Sequence, residues 1–209
     1  EHYDLQTELI DHLANDIEQF WKTNPKLSYQ EARDKAFKKF GVFGFMEAIE
    51  QRQKAMSKRY LKYFWAELKL WFTLPKLTAT VALFLIVYLA FSTFLARYFL
   101  IGFYGLLCIW ATYKSIRLNR QFRKRKEISN KKWMLEEMIF KQAGGSGLLL
   151  LSQLPTWYNI SDRFFVNSYF IIGFSVFTTL FFLWMYISLE ILPNKSEKLL
   201  KTTYPEFCL

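Results

Sequence analysis

The chain is 209 residues, 52% hydrophobic and 20% aromatic, with 22 phenylalanines, a usage rare in water-soluble cores and ordinary on lipid-facing helices. Its two cysteines, Cys108 in an apolar run and Cys208 next to last, exclude a disulfide framework, and Cys208-Leu209 is not a prenylation box. The net charge of +10 is uneven: residues 1–50 carry ten acids and six bases, the remainder eight acids and 22 bases, and those bases flank apolar runs, which points to anionic lipid rather than nucleic acid.

Residues 1–50 read as a small helical domain. Leu5, Leu9, Leu13, Ile17 and Phe20/Trp21 recur at helical spacing on an otherwise charged helix, which Asn24-Pro25 ends. Ser28-Tyr29-Gln30-Glu31 is a capping-box pattern opening a second helix, with Ala32, Ala36, Phe37 and Phe40 as its apolar face. Gly41 suits the end of that helix, and Lys38 and Lys39 favour its dipole. Phe43, Phe45 and Ile49 begin a third helix. Fifty residues make a thin core, so a preceding segment or a partner is expected to complete it. Glu1 in place of Met points to a missing N-terminus, and the acidic, amphipathic start does not read as a signal peptide.

Residues 51–76 form a basic, aromatic connector whose last turns are expected along a membrane surface. Leu77–Ala96 is 20 residues without a charge, enough to cross a hydrocarbon core about 30 Å thick. Arg97 then marks the tip of a hairpin, and a second span runs over about 98–118, with Lys114 reaching back to the interface. Lys114 to Lys132 holds nine Lys or Arg against one Glu and reads as a basic loop. A third span over about 133–155 carries Glu136, Glu137 and Lys141 near one end, and a re-entrant or interfacial segment is the alternative. The fourth span covers 164–189, where Phe164–Leu189 is uncharged, and Pro193 closes it. Residues 193–209 form a basic tail.

Orientation follows from the Lys/Arg count. The connector, the 114–132 loop and the tail are basic, whereas the other side offers Arg97 and Arg163, so both ends are expected in the cytoplasm. Trp71, Tyr113 and Trp133 would mark the inner boundary, and Tyr98, Trp157 and Tyr158 the outer one.

Candidate chemistry is sparse. His12 and Asp16 share a helical face, but with no second His or Cys nearby a metal site is not expected. No HExxH, CxxC, GxSxG or P-loop pattern is present, so no catalytic residue and no cofactor is assigned. Gly144, Gly145 and Gly147 read as helix packing or a break in the span. Glu137 and Lys141, four apart, form a candidate polar pair: interfacial if shallow, a hint of ion or proton transport if deep. The basic patch of Arg117, Arg120, Arg123, Lys124, Arg125 and Lys126 is read as a surface for membrane lipid headgroups.

Leu9-Ile10-Asp11-His12-Leu13, Ser28-Tyr29-Gln30-Glu31-Ala32 with Ala36, and Phe40-Gly41 together resemble the HAAS type of domain. That helical module precedes transmembrane helices in bacterial proteins often encoded near PadR-type regulators, and it is related to the prefix domains of some permeases. The four-span remainder resembles small membrane proteins of Bacteroidota. The resemblance covers about a quarter of the chain and implies a cytoplasmic interaction or signalling module without catalytic residues.

The sequence therefore leads to an all-α integral membrane protein of a bacterial inner membrane, with a cytoplasmic prefix and four spans. Its expected role is non-enzymatic: an anchored interaction or regulatory protein whose residues 1–50 dock a protein partner or a second copy. A small transporter or channel subunit, forming or regulating an oligomeric pore, is the alternative.

Overall fold

The computed structural model describes residues 2–40, 44–129, 132–159, 165 and 167–204. Every regular element among them is helical: α1 (Tyr3–Thr23), α2 (Tyr29–Phe40), α3 (Gly44–Leu70), α4 (Lys76–Phe91), α5 (Ala96–Ser129), α6 (Met134–Tyr158), α7 (Ser168–Tyr186), a π-helical turn (Ile187–Ile191), α8 (Leu192–Asn194) and α9 (Ser196–Thr203). Gly41, Phe43, Asp162, Arg163 and the first residues of the expected fourth span lie outside the described residues, as do the side chains of Trp157 and Tyr158.

The chain divides into two compact units, one of residues 1–60 and 126–138, the other of 61–125 and 139–209. In the first unit, α1 packs on α2 through Ile17, Ala32 and Ala36, with Leu13 and Phe20 half-buried beside them. Phe37, expected on that apolar face, is exposed. The capping box forms as the sequence predicts. The Ser28 backbone N–H and hydroxyl both donate to Glu31 Oε2 at 2.9 Å, and the Glu31 N–H donates to Ser28 Oγ at 3.3 Å.

A later segment of the chain adds to this thin core. The Tyr3 N–H donates to the Lys132 carbonyl at 2.8 Å, and the Tyr3 and Trp133 rings meet edge to face at 5.3 Å. Asp4 caps the start of α6 by accepting from the Met134 N–H at 3.3 Å. Trp133, Met134 and Leu135 are buried in this unit, so Trp133 is a core residue rather than the interfacial anchor its position suggested. Arg52, expected in the membrane-surface connector, reaches Glu8 at 3.0 Å and Asp4 at 3.8 Å. Connector and third helix are one continuous element, because nothing between Gly44 and Leu70 interrupts the helix.

The second unit is built on aromatic packing. α4 packs against α7, and Val87, Phe91, Leu100, Tyr104, Leu107 and Met185 are buried in one cluster. Phe91 touches Phe99, Phe165 and Phe174 at centroid separations of 5.3–5.7 Å, the range in which aromatic pairs add to simple burial. Several polar groups inside find partners: Thr179 donates to the Ser175 carbonyl at 2.8 Å, Ser115 to the Ala143 carbonyl at 3.1 Å, and the Tyr104 and Thr178 hydroxyls meet at 3.3 Å.

Three expected boundaries move. The first apolar helix ends at Phe91 rather than Ala96, because Ser92 and Thr93 turn their hydroxyls back onto the carbonyls of Tyr88 and Ala90, at 2.8 and 2.7 Å. The hairpin turn is therefore at Ser92–Leu95, not at Arg97. The basic segment after Lys114 is no loop as far as Ser129: α5 runs 34 residues, about 51 Å. Pro193 does not close the last long helix at Leu189. A proline ring clashes with the carbonyl four residues back, and the wider π-helical turn at Ile187–Ile191 accommodates it, so the helix continues to Asn194. Asn167 caps α7 by accepting from the Tyr169 and Phe170 N–H groups at 2.9 and 3.4 Å.

By length and composition, two helices among the described residues can cross a membrane, Ala96–Glu127 and Ser168–Asn194. α4 is apolar but has 16 residues, about 24 Å.

Candidate functional site

The chemistry-bearing side chains of the second unit gather where α3, α5 and the chain after α7 come together. The isolated acids of the sequence organise them. Lys195 reaches Glu67 at 2.5 Å, Arg125 reaches Glu197 at 3.2 Å, and Lys114 pairs with Glu190, which also accepts from Asn194 Nδ2 at 3.2 Å. The Tyr63 and Thr203 hydroxyls meet at 3.0 Å. One turn before Glu190, Tyr186 packs edge to face on Trp71 at 5.7 Å, and the Lys76 ammonium sits 5.2 Å from the centre of the Trp71 ring. Aromatic rings with a polar edge, followed by ion pairs, are what an interface between apolar and aqueous surroundings selects.

α5 presents a second, different face here. Tyr113, Ile116, Arg117, Arg120, Gln121 and Lys124 recur every three or four residues and line one groove of about 530 Å³. Arg117 and Gln121 also border a smaller pocket, about 80 Å³, shared with Lys114 and Glu190. The basic patch expected from the sequence is thus sorted by helix geometry. Arg117, Arg120 and Lys124 share the groove, Arg125 is paired with Glu197, and Arg123 is exposed outside the groove lining. Lys126 belongs to the first unit.

The remaining candidates fall elsewhere. Glu137, one member of the candidate pair with Lys141, has His2 Nε2 at 2.6 Å from its Oε2 in the first unit. A Cβ added at Gly144 or Gly145 would meet no atom within 4 Å, so neither serves as a point of close approach between helices within the chain. The surroundings of Gly147 lie outside the described residues. Asp16 pairs with Lys39 at 2.5 Å, and among the described residues no three His, Cys, Asp or Glu side chains gather as a metal site would require.

Beyond the polar end, the outward faces are apolar. Leu106 and Ile109 of α5 are 69% and 70% exposed; Val81, Leu85, Ile86 and Leu89 of α4 and Ile172, Val176, Phe177 and Leu180 of α7 are exposed as well. The most apolar windows of the two long helices are only 33% and 39% buried within the chain. Comparison with protein-family models, curated proteins and solved structures returns no match.

Proposed function

We propose that the chain is a non-enzymatic, membrane-anchored interaction or regulatory protein of a bacterial inner membrane, whose cytoplasmic helical module docks a protein partner or a second copy. The observation that carries the anchoring is the apolar outer surface of α4, α5 and α7. A core helix of a soluble protein is mostly buried, whereas the long helices built on α5 and α7 leave about two-thirds of their apolar windows uncovered, and a monomer in water seldom exposes so large an apolar surface.

The ion pairs support the proposed sidedness. Glu67–Lys195 and Arg125–Glu197 bring residues 67, 125, 195 and 197 to one end of the second unit. A chain that returns to the same end crosses an even number of times between each pair of these positions. That favours α4 with α5 as one hairpin and α6 with α7 as another, four crossings with both flanks on the basic, cytoplasmic side.

The docking role is supported by the first unit's surface, where Ile10, Tyr29, Phe37 and Met46 are exposed on a helical frame. Their substitution tests it. Detergent-solubilised full-length wild type, Tyr29→Glu and Phe37→Glu are compared for oligomeric mass and cross-linked partners. Loss of a partner or of the oligomer in the variants is expected, and identical mass and partners in all three would end the docking reading. The transporter or channel alternative draws on Ser175, Thr178 and Thr179, buried on α7. It requires flux in proteoliposomes that Thr178→Val changes.

A further inference from the structure

Six bases crowd the α5 segment Lys114–Arg125, and the fold uses them unequally. Lys114 and Arg125 are taken up by Glu190 and Glu197, and Arg117 stands beside the pocket that holds Glu190. Arg120 and Lys124 have no acid partner among the described residues, yet both face the groove of about 530 Å³. Among the described residues no acid lines that groove. Its lower end is Tyr113 and Ile116, and its upper end, Arg120 and Lys124, is cationic, separated by about one to three helical turns, roughly 6–17 Å at 1.5 Å per residue. The lower end adjoins Lys114, whose partner Glu190 follows Tyr186 by one turn, and Tyr186 packs on Trp71. The groove therefore begins where the apolar surface gives way to ion pairs.

We propose that this groove is a seat for one anionic phospholipid, with Arg120 and Lys124 on the phosphodiester, Arg117 and Gln121 beside the headgroup, and the first methylenes of the acyl chain along Ile116 and the Tyr113 ring. The inference rests on the reading that α5 crosses a membrane, and it deepens that reading by naming the lipid chemistry. A planar guanidinium and an ammonium on one helix face suit a phosphate with spare acceptor oxygens. The apolar end favours a ligand with its own acyl chain over a freely soluble one of the same charge, because only the former covers Ile116.

The test uses the full chain purified in a mild detergent, with phosphatidylglycerol or phosphatidylcholine added at equal concentration and bound lipid counted by native mass spectrometry. Phosphatidylglycerol adducts should dominate on the wild type. Arg120→Gln with Lys124→Gln should weaken them roughly thirtyfold, each cation near an anionic leaflet being worth about a factor of five. Lys198→Gln with Lys201→Gln, an equal charge loss on exposed α9 residues, should leave them within about twofold. Three results overturn the proposal: equal retention of both lipids by the wild type, equal losses in the two double variants, or displacement of phosphatidylglycerol by millimolar inorganic phosphate. A chain that needs no detergent would instead refute the membrane reading itself, so the two failures are told apart before any lipid is added.

Discussion

The two units solve the burial problem in opposite ways. Residues 1–60 with 126–138 close a small core whose fully buried side chains include Ala32, Ala36, Met56 and Leu135, and they tie its edges with directed polar contacts: Asp4 on the Met134 N–H, His2 on Glu137, Arg52 on Glu8. The second unit keeps leucine and phenylalanine both inside and outside, with its ion pairs gathered at one end. The first has the pattern of a protein in water. The second has little radial contrast in hydropathy, the pattern of a surface that lipid or a partner covers.

The largest expected effect breaks the first unit alone. Leu135→Ala removes a fully buried side chain from the segment that completes the core and should cost about 2–5 kcal/mol. Hydrogen exchange of the full chain should speed up at α1 and α2 and stay slow in α7. Uniform loosening would mean that the two units do not melt separately.

Next comes a pair of equal substitutions on exposed apolar residues. Leu106→Arg should cost about 2.5–3.5 kcal/mol of insertion free energy if its site faces the hydrocarbon centre. Ile10→Arg, at a residue 65% exposed on the first unit, should stay within about 0.5 kcal/mol. Membrane-integrated yield and thermal unfolding in detergent read both. Equal tolerance at the two sites would erase the contrast between the units.

Smaller effects sharpen the account of the first unit. Ser28→Ala removes the α2 cap and should cost about 1 kcal/mol. The Ser28 backbone N–H, then its hydroxyl, hold the Glu31 carboxyl below the ordinary carboxylate range. A carboxylate lowered in the folded state stabilises above its unfolded value and loses that contribution as pH falls through the lowered one. Acid titration of α2 helicity should therefore show a component that Glu31→Gln abolishes, with no matching change near neutral pH.

Much of this was legible in the sequence. The capping box at Ser28–Glu31, the α1 stripe and the apolar runs are local signals, and local signals survive into the fold. What stayed hidden was long-range. Nothing near Trp133 or Leu135 announces that they close a core begun more than 120 residues earlier, because periodicity reports a buried face but not its partner. The groove residues were visible as a basic run, and a helical rather than loop reading of 114–129 would have separated Arg120 and Lys124 from Arg123 and Arg125 by face. The lone acids Glu67, Glu190 and Glu197 were available as a signal: an isolated acid in a basic or apolar stretch needs a cation, and each has one. The early end of α4 was written in Ser92-Thr93, and uncharged length was the wrong ruler for it.

The central claim is that hydrocarbon is the solvent of the outward faces of α4, α5 and α7. Extraction of expressing membranes with alkaline carbonate, followed by flotation, tests it most directly. The full chain should remain with the lipid and be released by detergent; recovery as a monodisperse, folded species in the carbonate supernatant, stable without detergent, would contradict it.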